Sequence, residues 1–220
     1  MNHQIKLIFC YSFMSASFIS CAQNKVQEKA TTTNKISDIK MNTSNLDTIT
    51  LGGGCYWCVE AVYQQLRGVE KVVSGFSGGT VKNPSYREVC NGTTGHAEAA
   101  NIIYDKTQVS FKDILEVFFT VHDPTTLNRQ GGDVGTQYRS AIFYHNDEQK
   151  AIAEDIIKRL NESGAYSSPI VTEVTGFKEF YAAENYHQNY YNQNGSEPYC
   201  QMVIRPKVEK FKKVFHDKLK

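Results

Sequence analysis

The sequence predicts an α+β fold. The expected form is a two-layer sandwich, with helices over a central mixed sheet of split βαβ (ferredoxin-like) units and long irregular loops. Three observations carry that expectation. Segments with apolar residues at period 2 alternate along the chain with segments at helical period. The connections between successive strands are long enough to hold crossover helices. Two stretches, 122–138 and 176–200, follow neither period and are rich in Gly and Tyr. Irregular connections of that length in a compact domain tend to carry function.

Taken in order, Asp47 to Leu51 alternates polar and apolar residues as a half-buried strand does, and Gly52-Gly53-Gly54 is expected to break it. Cys55 to Leu66 carries Tyr56, Val59, Val62, Tyr63 and Leu66 at helical spacing, with Gly68 as the stop. Val69 to Phe76 reads as a second strand, ending at Gly78-Gly79, and Ala97 to Tyr104 as a third. Ser110, with Asp113 close behind, opens a helix whose apolar face holds Phe111, Ile114, Leu115 and Phe118. Ser140 to His145 is a strand. Asn146, with Gln149 three residues on, caps a helix carrying Ile152, Ile156, Ile157 and Leu160. Ile170 to Thr175 is a further strand, and Tyr199 to Ile204 alternates like one. Lys207 to Leu219 is a closing amphipathic helix with Val208, Phe211, Val214 and Phe215.

The 220 residues suffice for one domain plus a tail. With 40% hydrophobic and 21% charged residues, a packed core is expected. A formal net charge of +1, without blocks of like charge, lacks the footprint of a nucleic-acid binder. Lys6 is the sole charged residue among residues 1–20, and residues 7–20 form an apolar stretch ending in small residues. That stretch is too short to span a bilayer and has the shape of a secretory signal. Ser20-Cys21 resembles a bacterial lipoprotein signal, with Phe18 where Leu is usual, so Cys21 is a candidate lipidation site. The plainer alternative is an ordinary signal cut near Ala22. Residues 21–45 read as a flexible tether and 46–220 as the folded domain. The expected location is the cell envelope, reached through a lipid anchor and not a membrane span.

The chemistry begins at Cys55, where a strand, three glycines and a helix start meet. Unpaired backbone N–H groups and the helix dipole there favour a negative charge, so a lowered thiol pKa is expected. The plain alternative is a small buried residue filling a helix start. Cys58 completes a Cys-x-x-Cys, which admits a dithiol, half a zinc site, or a nucleophile with a resolving thiol. Zinc needs four ligands, and no second pair accompanies this one, so no metal is expected. A thioredoxin-like dithiol domain fits poorly. Tyr56-Trp57 replaces the usual small dipeptide, and too much chain follows the motif.

Six segments then occur in order. They are Gly53-Gly54-Cys55-Tyr56-Trp57, Gly78-Gly79, Asn83 through Cys90, Gly95-His96-Ala97-Glu98-Ala99, Gly135 through Ser140, and finally Glu184 through Gln188 with Pro198-Tyr199-Cys200. Together they resemble the A-class peptide methionine sulfoxide reductases over about residues 46–215. Two departures stand out. That family usually has Phe where this chain has Tyr56, and often Gly where it has Cys58. The resemblance implies reduction of methionine S-oxide, free or in proteins, and repair of oxidised proteins. It implies no cofactor and a thioredoxin-like reductant; a monomer is expected.

Reducing a sulfoxide needs a soft nucleophile and an acid for the departing oxygen. Cys55 is the candidate nucleophile, passing through a sulfenic acid. The resemblance makes Glu98 the acid. It stands among Ala97, Ala99 and Ala100, where desolvation would raise its pKa. Tyr86 and Tyr138 are candidate hydrogen-bond donors and Asp133 an orienting group, roles that rest mainly on the resemblance. Tyr56 and Trp57 would cup the methyl group. His96 and His187 look structural, and Tyr181, Tyr190 and Tyr191 look like loop packing. Cys58 is the expected resolving cysteine, being three residues from Cys55 on the same helix face. Cys200 is its rival, expected to lie buried on a strand; Cys90 is weaker still. Two other functions compete: an envelope-tethered dithiol–disulfide oxidoreductase, and a lipid-anchored binding domain with a structural Cys55–Cys58 disulfide.

Overall fold

In a computed structural model, residues 43–220 are described. The signal, tether and Cys21 readings fall, but for residues 43–45, outside them. The sheet begins with β1 (Leu46–Gly53), which runs into helix α1 (Tyr56–Tyr63) and returns as β2 (Val69–Ser77). A short helix α2 (Tyr86–Cys90) precedes β3 (Ala97–Asp105), and α3 (Phe111–Val121) follows it. A small hairpin, β4 (Arg129–Gln130) with β5 (Asp133–Val134), leads to β6 (Ser140–Tyr144). Helix α4 (Asp147–Glu162), β7 (Glu173–Gly176), β8 (Phe180–Ala182), α5 (Tyr190–Gln193) and α6 (Arg205–Val214) complete the order.

The six-stranded sheet has the order β7-β6-β1-β3-β2-β8. β1 and β2 are both antiparallel to β3, which lies between them, so β1-α1-β2 is a split βαβ unit. β6 is antiparallel to β1 on its other side, which makes β3-α3-β6 a second such unit. β7 adds in parallel beside β6. The expected mixed sheet and split βαβ core are therefore present.

Side-chain alternation assigns the faces. Ala100, Ile102 and Tyr104 of β3 join the main core beneath the helices, whereas Ala97 and Ala99 join a smaller cluster on the opposite face with Phe143. Glu98 has the parity of Ala100, so it points toward α1. The helix starts form as their caps dictate. Ser110 with Asp113, and Ser85 with Glu88, each make reciprocal capping boxes, and Asn146 accepts the Gln149 N–H.

Four local expectations are corrected. β1 continues through Gly53, and only Gly54 makes the turn, with φ +87°. A Cβ there would stand 2.5 Å from Gln130, so the loop 122–138 presses on this position. The strand expected at 170–175 begins at Glu173, because the Ile170 and Val171 N–H groups are taken by Asn161 Oδ1 and the Pro124 carbonyl. The closing helix ends at Val214 and not Leu219, which instead bridges to Leu66. Finally, Cys200–Ile204 is no strand but a π-helical turn that feeds α6. Cys200 and Ile204 are its buried residues, and a separation of four is a helical spacing.

Candidate active site

Cys55 is the N-cap of α1, with φ −57° and ψ 126°, and its carbonyl accepts the Cys58 N–H at 3.0 Å. Both thiols are buried and reduced. The expected depression of the Cys55 pKa is not found. Burial pushes this thiol well up, and the neighbouring Cys58 and Glu98 add to the rise. Cys58 is the one lowered, to about 7, first through its hydrogen bond from Cys55 and against burial. Desolvation is the largest cause at Cys55, and the two thiols titrate as a coupled pair in which Cys58 is favoured as the thiolate.

Glu98 is 2% exposed, and its Oε2 accepts the Tyr56 N–H at 3.1 Å. Burial raises its pKa to about 8, opposed by that hydrogen bond and assisted by Asp133. The carboxyl is thus mostly protonated at neutral pH, beside the Cys55 peptide unit. Burial, with Glu98 among the further causes, also raises the phenols of Tyr86 and Tyr138. Both remain neutral donors in the working pH range. Asp133, on β5, accepts the Tyr199 hydroxyl at 2.7 Å. Tyr199 also contacts Cys55, which it favours as thiolate.

An aromatic wall closes the site. The Tyr56 ring packs at 5.8 Å from Phe76 and 5.5 Å from His187. Trp57 stacks on Tyr190 at 3.8 Å and 8°, and meets Tyr199 edge-on. Tyr86 lies 4.5 Å from the His187 ring. The Tyr56 hydroxyl, Trp57 Nε1 and both nitrogens of His187 are buried with no protein hydrogen-bond partner. Such atoms are costly to bury unused and available to a ligand.

The structure thus gathers Cys55, Cys58, Glu98, Tyr86, Asp133, Tyr138, Tyr56 and Trp57 in one region. Cys200 is fully buried in its helical turn, with its pKa raised by burial and then by Glu197 and Cys58. Cys90 is half-buried at the end of α2, and its pKa is raised by burial. His96 bridges the Gly79 N–H and the Val81 carbonyl, away from this wall.

Three participants carried no assigned role in the sequence. His187 lines the aromatic wall, Tyr199 links Asp133 to Cys55, and Glu60 anchors the loop that bears Tyr190. The buried Glu60 carboxylate accepts the Asn189 and Tyr190 N–H groups at 2.8 and 3.3 Å. A charged residue inside the apolar pattern of α1 is the signal that could have exposed Glu60. Among the described residues no cluster of His, Cys, Asp or Glu is arranged to hold a metal. No helix among them is long and apolar enough to cross a membrane.

A sequence profile of the family described as peptide methionine sulfoxide reductase matches residues 47–219. A peptide methionine sulfoxide reductase MsrA of Trichodesmium erythraeum is 54% identical over 174 residues, 79% of this chain and 98% of that protein. Its counterpart in Leptospira borgpetersenii is 56% identical over 168 residues, 76% of this chain and 94% of that protein. Among solved structures, Mxr1 of Saccharomyces cerevisiae in reduced form superposes with a TM-score of 0.66 at 31% identity, covering 74% of this chain and 94% of that one. Methionine sulfoxide reductase A of Corynebacterium diphtheriae also reaches 0.66, at 37% identity, covering 70% and 77%.

Proposed function

The chain belongs to the peptide methionine sulfoxide reductase family and reduces methionine sulfoxide, and we propose that the residues gathered around Cys55 divide that work as follows. The methyl group of the substrate lies against Tyr56 and Trp57. Neutral Glu98 protonates the sulfoxide oxygen, with the hydroxyls of Tyr86 and Tyr138 as further donors. Cys55 attacks the sulfoxide sulfur while its proton passes to the Cys58 thiolate. The hydroxyl then moves from the substrate sulfur to the Cys55 sulfur: the substrate S–O bond and the transient Cys55–substrate S–S bond break, a Cys55 S–O bond forms, and methionine leaves with a sulfenic acid on Cys55. The substrate sulfur is reduced by two electrons and the Cys55 sulfur is oxidised by two. Asp133 accepts the Tyr199 hydroxyl and so orients Tyr199 beside Cys55.

Cys58 passes the proton it took to the Glu98 carboxylate, left ionised by the first step, and as a thiolate attacks the Cys55 sulfur. An S–S bond forms, the S–O bond breaks, and the oxygen leaves as water with a proton from the acid. A thioredoxin-type dithiol reduces the Cys55–Cys58 disulfide. Cys58 is preferred to Cys200 because it shares a hydrogen bond with Cys55 and has the lower pKa. The expected substrate is the S epimer, free or in oxidised proteins. A dithiol–disulfide oxidoreductase acting on protein disulfides is not favoured, since it leaves a buried neutral carboxyl without work.

The observation that carries this reading is the buried, protonated Glu98 against the first N–H of α1, next to Cys55. The test is one turnover of the full chain with methionine sulfoxide and no reductant. One methionine per chain and a mapped Cys55–Cys58 bridge are expected. A Cys55–Cys200 bridge would reassign the second step, and methionine release without thiol loss would refute the scheme.

We further propose that residues 1–45 deliver a monomeric domain to the cell envelope, anchored through lipidated Cys21. The support is the apolar segment 7–20 and the polar, aromatic-free stretch after Cys21. The intact mass of the mature protein from membranes tests cleavage and lipidation together. An unprocessed mass would overturn both.

A further inference from the structure

Lys207, near the start of α6, is half-buried and forms no ion pair with a carboxylate among the described residues. It lines a small cavity that Val59, Tyr63, Phe118 and Val121 wall with apolar side chains. The Tyr63 hydroxyl is spent on the Ile114 carbonyl at 2.8 Å, and the other polar side chains in that cavity belong to Cys58 and His122. A cation among apolar groups needs an anion or a strong acceptor. His122 cannot serve. Its Nδ1 bonds the Phe118 carbonyl at 2.6 Å and its Nε2 the Ser140 hydroxyl at 2.8 Å, and burial lowers its pKa to about 4. The partner that remains is Cys58.

We propose that Lys207 is a positioning residue for the second half of the reaction, holding Cys58 as the thiolate that attacks the oxidised Cys55. This rests on the reading of Cys58 as the resolving thiol. Cys58 first passes its proton to the ionised Glu98; the Cys58 sulfur then bonds the Cys55 sulfur, the Cys55 S–O bond breaks, and the hydroxyl leaves as water with that proton from Glu98. Lys207 supplies charge and a hydrogen bond and is not consumed.

The groups facing Cys58 divide clearly. Its pKa is lowered by the hydrogen bond from Cys55 and by the charge and hydrogen bond of Lys207; burial and Asp133 raise it. The Cys55 S–H donor is consumed when the sulfenic acid forms. Lys207 is then the remaining group of those named that favours the Cys58 thiolate. Lys210, further along α6, is bonded to the Thr120 carbonyl. Glu98 on β3, Tyr199 and Cys200 also lie within electrostatic reach of Cys58, which adds to the rise in pKa that burial causes at each.

The experiment compares the full-length enzyme with Lys207→Met and Lys207→Arg in rapid-quench single turnovers without reductant, between pH 6 and 10. Methionine release reads the first step, and disulfide formation, mapped to its cysteines, reads the second. Cys55 and Lys207 together hold Cys58 at about 7 in the reduced enzyme, so loss of Lys207 should move it upward, and a full rise to an ordinary thiol pKa of about 8.5 sets the upper limit of the effect. The thiolate fraction at pH 7 would fall about 15-fold, and the greater nucleophilicity of a more basic thiol returns about four- to fivefold of that. Disulfide formation by Lys207→Met is therefore expected to be up to about three- to fourfold slower at pH 7 and faster than wild type above about pH 8. Lys207→Arg should restore the wild-type profile. A general loss of structure would slow both steps without this crossing. In a Cys55→Ser background, thiolate absorbance should also titrate at higher pH with Lys207→Met than with Lys207. A Cys55–Cys58 bridge with superimposable pH profiles overturns the role of Lys207 alone. A Cys55–Cys200 bridge in the wild type overturns Cys58 as the resolving thiol and Lys207 with it.

Discussion

Replacing Glu98 by Gln separates its chemical role from a structural one. The wild-type carboxyl titrates at about 8 because burial penalises its charged form, which the Tyr56 N–H only partly offsets. If its proton is transferred in the first step, the rate must fall as pH rises through about 8. Between pH 7 and pH 9 the protonated fraction drops about tenfold, and the single-turnover rate of methionine formation should drop with it. Gln keeps size and polarity but supplies no acidic proton. The expected loss at pH 7 is about 10²–10⁴-fold, the usual scale of general acid catalysis, and the limb near pH 8 should vanish.

Stability should move the opposite way. An acid whose pKa is higher folded than unfolded destabilises the fold as pH rises from the unfolded value toward the folded one. The window here runs from about 4.5 to about 8. At about 1.4 kcal/mol per unit, the upper bound is roughly 4–5 kcal/mol, and any imperfect pairing of the Gln amide offsets the variant equally at every pH. Urea titrations at pH 5 and pH 8 should show the variant gaining on the wild type by up to about 3–4 kcal/mol across that interval. An unchanged burst rate, or a stability difference independent of pH, would refute both the assigned role and the burial argument.

Cys55→Ser should abolish methionine formation even with excess dithiothreitol, because the hydroxyl is a poor soft nucleophile; chromatography of the product decides, and activity within tenfold of wild type refutes the assignment. A chain starting at Leu46 should keep full activity on free methionine sulfoxide, with a melting temperature close to that of the full chain in calorimetry. Gly54→Ala forces a side chain into a φ of +87° and against Gln130 at 2.5 Å, so a loss of about 1–3 kcal/mol in chemical denaturation is expected, with slower turnover.

Much of this molecule is written locally. The capping residues Ser110 and Asn146 start their helices because the hydrogen bonds that do so lie within one turn. The strand at Ala97 reads from its own alternation, and its parity already separates Glu98 from Ala97 and Ala99. The ordered motifs around Cys55, Glu98, Tyr86 and Tyr138 were sufficient to name a reaction. The segment Tyr199–Ile204 was misread because a short apolar run satisfies period 2 and a spacing of four equally well, and only packing against α1 and α6 decides between them.

The tertiary structure decided what depends on distant neighbours. Which thiol is the easier to ionise could not be read from the helix start. The desolvation that raises Cys55 and the lysine that helps to lower Cys58 come from elements brought together by the fold. Glu60 reaches Asn189 and Tyr190 across 129 and 130 residues of chain. Asp133 finds Tyr199 across 66. Secondary structure answers to interactions a few residues long, whereas burial and charge at a reacting atom are set by whatever the fold places beside it.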